Sequence, residues 1–265
     1  MENSKQLVVA LLIYLIYVGI IFTSNMLMEL SIKVNNSSYE MISGILFGFI
    51  GIPVFSIILP LWIAKRWRLH YSFWPRNKNL FLVIPILVLY VLLTSFESIR
   101  LILESGISLG DFIIHYFNAM LFHVTYYPLF VVFIFPILRK NFKLVGGLIL
   151  TSLAFAVYHL AQFHYFPAGL SPIFQLYLFA GFFVNLLLYL WSESIILMTI
   201  VHTMNGAIGL AANGTVFNQI SFLSFLTIVI IGALFIYMIY QALKNRKLDF
   251  DKDWWLQVSI KNSRD

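Results

Sequence analysis

The chain contains no cysteine among its 265 residues. That excludes a disulfide framework, a thiolate metal site and a cysteine nucleophile. Charge is scarce as well: only 11% of residues are charged, and 11 are Asp or Glu. No acidic residue falls between Phe112 and Ser192. A soluble domain carries about 25% charged residues. What fills the chain instead is apolar: 61% hydrophobic residues and a mean hydropathy of +0.90. This is the composition of a membrane protein. The first apolar run, Leu7 to Met28, is too long for a signal-peptide core and has no small-residue cleavage site before Ile32, so it reads as a first span.

A helix crossing the hydrocarbon core needs ~20 mostly apolar residues. Eight segments qualify: about 7–28, 41–64, 80–96, 112–138, 144–162, 172–191, 194–212 and 218–243. The expected fold is therefore an all-α polytopic bundle of about eight transmembrane helices, residues 1–243, followed by a short cytoplasmic tail, 244–265. Pro128 and Pro136 fall inside the fourth segment and predict kinks there, because proline removes a backbone donor.

Basic residues cluster in alternate loops. Lys65, Arg66, Arg68, Arg76 and Lys78 form one group, Arg139, Lys140 and Lys143 a second, and the tail a third. Only Lys33 and Arg100 fall on the other side, leaving 15 of the 17 Lys and Arg together. The positive-inside rule then places both termini in the cytoplasm and requires an even number of spans. The net charge of +6 is explained by these loops, so nucleic acid is not an expected partner; the lipid bilayer is. The abundance of Ile, Lys, Asn and Phe is compatible with a bacterial plasma membrane. Asp249, Asp251 and Asp253 alternate in the tail, but no glycine or glutamate follows at the positions a calcium loop requires.

Two histidines lie deep in apolar runs. His159 sits in LTSLAFAVYHLAQF and His202 in IILMTIVHTMNGAIGL, with Asn205 one turn further on the same face. An ionisable residue inside hydrocarbon is a functional-site candidate by default. At 1.5 Å per residue, His159 lies ~24 Å beyond Lys143, His202 ~13 Å beyond Glu193, and Tyr126 and Tyr127 ~18–20 Å from Arg139. These side chains are expected to share one layer of the bundle. No metal or cofactor is expected, since thiolate and carboxylate are absent nearby. His115 and His123 read as interfacial residues near the outer side.

Phe155-Ala-Val-Tyr-His159 resembles the F-x-x-x-H motif of the CPBP family, named for CAAX proteases and bacteriocin processing. His202-Thr-Met-Asn205 resembles that family's later histidine motif, although the family's asparagine or aspartate position, four residues after the histidine, is Gly206 here. The likeness covers about residues 110–215 and implies an eight-span membrane endopeptidase fold. The family's E-E-x-x-x-R motif falls at Tyr126-Tyr127 with Val131 at the arginine position. In the family the glutamates activate water for peptide cleavage. A phenol with a pKa near 10 is a very poor base at neutral pH. The resemblance therefore implies a pseudoprotease whose vestigial site is His159, His202, Asn205, Tyr126 and Tyr127. Such a protein would act as a scaffold or regulator, binding another membrane protein, a membrane-anchored enzyme or a membrane-associated peptide. Two alternatives stand beside it: an active, metal-independent CAAX-like protease with relocated residues, using His159, His202 and Glu193, and a bacteriocin self-immunity protein.

Overall fold

A computed structural model describes residues 2–74, 106, 108–163, 172–192, 194–211, 229 and 233. Helix α1 (Glu2–Val34) opens it. Gln6, Ala10, Ile13, Tyr17, Ile21, Ser24 and Ser31 are buried along one face, at steps of three and four residues or their sum. The opposite face carries Val8, Leu11, Leu12, Leu15 and Ile16, each about half exposed. A helix apolar on both faces has lipid rather than water as its outer solvent.

The second rod comprises α2 (Ser37–Gly44), a π-helical stretch π1 (Ile45–Ile58) and α3 (Leu59–Arg66). Asn36 caps α2 by accepting a hydrogen bond from the Ser38 amide at 2.9 Å. Pro53 lies inside π1. A proline lacks the N–H and crowds the carbonyl four residues back, and widening to i→i−5 bonding relieves both. The amide of Leu59 accordingly bonds to the Val54 carbonyl.

Helix α4 (Leu109–Tyr127) begins at Ser108, whose Oγ accepts from the Asp111 amide at 3.1 Å. It runs into a second π-helical stretch, π2 (Pro128–Ile134), and then α5 (Phe135–Phe163). Pro128 and Pro136 do not break the rod: the chain widens through π2, every residue of which is buried. The break comes later, at Phe142 (φ −120°, ψ 15°) and Lys143 (φ 61°, ψ −178°). There the helix reverses. Tyr126 and Tyr158 have ring centroids 5.9 Å apart, whereas a straight helix would separate positions 32 residues apart by ~48 Å. The two arms close tightly at the turn, where a Cβ on Gly147 would stand 2.7 Å from Arg139 Cα.

Helices α6 (Pro172–Ser192) and α7 (Ile195–Ala211) complete the described part. Helix α6 packs on α5, and α7 on α4. The start of α7 is tied down twice. Ser194 Oγ caps it by accepting from the Leu197 amide at 3.0 Å, and the carbonyls of Ser72 and Phe73 accept from the amides of Ile195 and Ile196 at 3.1 and 3.2 Å.

Every regular element among the described residues is a helix, with no strand. Three helical stretches are long and apolar enough to cross a membrane: Asn3–Val34, Ser37–Arg66 and His123–Gln162. A shorter apolar helix runs over Gln175–Leu190. His123–Gln162 contains the reversal, so it supplies two arms rather than one rod. The expected all-helical membrane architecture is thus present. The expected span at 80–96, that at 218–243 but for residues 229 and 233, and the tail at 244–265 lie outside the described residues.

Candidate functional site

The candidate site lies where α4, α5, α6 and α7 meet. Tyr126 and Tyr127 end α4, and both are fully buried. The carbonyl of Thr125 accepts the Ser56 hydroxyl of π1 at 2.5 Å. Inside hydrocarbon such a carbonyl needs a protein donor, and this bond fixes the end of α4 against the second rod. The ring of Tyr126 touches Phe130, Phe155, Tyr158, His159, His123 and His202, with centroids 5.5–6.4 Å apart. Tyr127 stands against Phe182 and His202 at 6.4 and 5.9 Å. Phe155 and Phe182 stack face to face at 3.8 Å and 10°, locking α5 to α6 beneath the histidines.

The two expected histidines are brought together around the same rings. His159 contacts Phe155 at 4.2 Å and Tyr126 at 6.2 Å. His202 contacts Phe155 at 5.7 Å and Tyr126 at 6.1 Å. Their hydrogen bonds differ in sense. The Nδ1 of His159 lies 3.0 Å from the Phe155 carbonyl, which only accepts, so this nitrogen donates and carries the ring proton. At His202 the partner is the amide nitrogen of Asn185, 3.1 Å from Nδ1; it only donates, so Nδ1 accepts. The neutral ring then has its proton on Nε2, which donates to the Tyr126 hydroxyl over a long 3.4 Å. Asn205 belongs to the helical run of α7, but its side chain is outside the description.

Two members of the cluster were not anticipated. His123, read from the sequence as an interfacial residue, lies with its ring centroid 4.5 Å from that of His202 and 5.5 Å from that of Tyr126. Helix α4 starts at Leu109, which places His123 ~21 Å along it, and positions three and four residues on are Tyr126 and Tyr127, on the same face. The other is Asn185, a lone amide in the run FVNLLL and 4% exposed. The signal for it was the general cost of an amide in hydrocarbon, which demands an internal partner.

No carboxylate reaches this cluster from the described helices. Asp111 lies ~22 Å from Tyr126 along α4, and Glu29 pairs with Lys33. Among the described residues, no group of three or more His, Asp or Glu is placed to hold a metal ion. Glu193, the acid nearest His202 in sequence, lies outside the described residues. Chemically the cluster offers neutral hydrogen-bonding groups inside an aromatic wall. Among the described residues it offers no carboxylate base.

Residues 128–208 match the family described as type II CAAX prenyl endopeptidase Rce1-like. The match takes in Phe155, His159, His202 and Asn205, and it begins at Pro128, directly after the tyrosine pair. No curated protein and no solved structure matches the chain. The segment that carries both histidine motifs is thus the segment that resembles the CAAX-protease-like family, on residues 128–208.

Proposed function

We propose that this protein is a catalytically degenerate CPBP member, a pseudoprotease that binds another membrane protein or a membrane-associated peptide as a scaffold or regulator. One observation carries the reading. The positions where the family places its glutamates hold Tyr126 and Tyr127, and both phenol rings are fully buried in the aromatic core. They occupy the space a water-activating carboxylate pair would need. Val131, at the family's arginine position, is also fully buried, among apolar neighbours. The loss of a general base costs ~10²–10⁴ in rate. In this reading the bundle has eight spans with both termini in the cytoplasm and resides in the plasma membrane, and the retained helices present a binding surface.

The test is affinity purification of the intact protein from mild detergent, with a peptide-cleavage assay on the same preparation. The reading expects one stoichiometric membrane partner and no cleavage. Repeated purification without a defined partner, or cleavage that His159→Ala abolishes, would refute it.

A second reading is favoured by the contact between His123 and His202. An imidazole is the one side chain whose ordinary pKa lies near neutrality. The histidines are therefore the bases of the described cluster, and an active protease with relocated residues would use them. Cleavage by wild type that is lost in both His123→Ala and His202→Ala is the outcome specific to that reading.

A further inference from the structure

We infer that the outer face of α3, along Ile58, Trp62 and Arg66 with Lys65 and Arg68 beside it, is a binding site for an anionic phospholipid. The site is separate from the histidine cluster and does not depend on the pseudoprotease reading.

Two faces of α3 differ in chemistry. Pro60, Ile63 and Ala64 are buried, and Trp67, just past the helix, stacks on Phe133 of π2 at 5.9 Å. These residues hold the rod against the bundle. The other face carries Ile58, Trp62 and Arg66 at steps of four residues, so they line up on successive turns. Ile58 and Trp62 are 60% and 56% exposed, and Lys65, Arg66 and Arg68 are exposed as well. A face that is apolar first and cationic at its end matches the order of a lipid, acyl chain and then headgroup.

The Arg66 guanidinium lies back over Trp62, its Cζ 5.5 Å from the ring centroid. The indole holds the cation through its face. That contact leaves the N–H edge of the guanidinium for a phosphate, which it can bind through two parallel hydrogen bonds.

The surrounding charge has the same sign. Ser56 bonds to the Thr125 carbonyl and Trp67 stacks on Phe133, so the second rod runs parallel to α4 and π2 and ends on the side of the α5 turn. The Lys140 ammonium lies 3.4 Å from Gln6 Oε1, which sets the start of α1 beside that turn. Lys5 and Lys140 are exposed there too, and Glu2 opens α1 at the same end. Lys33, ~42 Å from Lys5 along α1, is already paired with Glu29. A zwitterionic lipid would bring its own ammonium against the cations of α3, whereas an anionic headgroup brings only complementary charge. A soluble acidic peptide would meet the charges but leave Trp62 and Ile58 uncovered.

The experiment uses the full-length protein in phosphatidylcholine vesicles doped with a small, equal fraction of brominated phosphatidylglycerol or brominated phosphatidylcholine. Bromine quenches tryptophan on contact, and the difference between wild type and Trp62→Phe isolates the signal of Trp62. Brominated phosphatidylglycerol is expected to associate at Trp62 about fivefold or more tightly than brominated phosphatidylcholine. Arg66→Gln is expected to lower that preference by about fivefold, and Lys65→Gln with Arg66→Gln and Arg68→Gln to abolish it. Lys33→Gln is expected to keep it; loss there would trace the preference to net charge and overturn the site. Equal quenching by the two lipids in wild type overturns the proposal, whether or not the variants fold. So does a preference that survives in the triple variant. Protection of Trp62 by a soluble polyglutamate peptide, with no effect of the lipid headgroup, would assign these cations to an acidic protein segment and overturn it as well. None of these outcomes touches peptide cleavage or partner recovery, so failure here is distinguishable from failure of the pseudoprotease reading.

Discussion

His123 and His202 face each other across α4 and α7, with ring centroids 4.5 Å apart and planes inclined at 40°. His123 stands one turn before Tyr126 and Tyr127, so the local chain brings an imidazole to the buried phenol pair. The consequence for catalysis is open to a direct measurement. Wild type, His123→Ala and His202→Ala are expected to be equally inert toward a broad panel of farnesylated and unmodified peptides. A wild-type rate that falls ~10²–10⁴-fold in His123→Ala would instead identify this residue as a general base.

Restoring the missing acids is expected to harm the fold before it helps the chemistry. Tyr126 and Tyr127 are fully buried. Nearest along the chain, Arg139 lies ~18 Å from Tyr127 by helical rise, on the first arm of α5. Two unpaired carboxylates in that setting cost several kcal/mol each or take up protons. Tyr126→Glu with Tyr127→Glu is therefore expected to lose the monodisperse peak in size-exclusion chromatography, while Tyr126→Phe with Tyr127→Phe keeps it. Adding Val131→Arg supplies one cation and is expected to recover part of the loss.

The histidine layer was readable from the sequence because hydrocarbon makes polar residues conspicuous. His159 and His202 stood out as interruptions, and the basic group Arg139, Lys140 and Lys143 marked the reversal that the structure places at Phe142–Lys143. What was not readable depended on contacts between helices. His123 was misjudged because its depth follows from where α4 begins, and the long apolar run did not show that Ser108 caps it. Asn185 was passed over because its meaning lies in a partner 17 residues away on the next helix. The π-helical stretches were equally hidden. Pro128 signals a lost hydrogen bond, but only packing decides whether the helix kinks or widens.

The bond from Ser56 to the Thr125 carbonyl joins the second rod to the end of α4, beside the cluster. Ser56→Ala removes that bond between the two rods. The expected cost is ~1 kcal/mol, read as a lower melting temperature in detergent. Ser38→Ala, whose exposed hydroxyl lies at the start of α2, is the control, expected within ~0.5 kcal/mol of wild type.

The hairpin turn gives a sharper contrast between two glycines. A Cβ on Gly147 would stand 2.7 Å from Arg139 Cα and 2.9 Å from its amide nitrogen, both backbone atoms that yield only if the two arms of α5 separate. A Cβ on Gly19, in the lipid-facing surface of α1, meets nothing within 4 Å. Gly147→Ala is expected to destabilise by ~1–3 kcal/mol, the usual cost of overpacking. Gly19→Ala removes a flexible residue from a helix interior and is expected to be neutral or to stabilise by up to ~1 kcal/mol. Thermal unfolding in detergent, followed by tryptophan fluorescence, should shift by ~2–4 °C per kcal/mol for a chain of this size. If both variants melt with wild type, α5 is not a closed hairpin at this point, and the contact that brings Tyr126 to His159 loses its geometric basis.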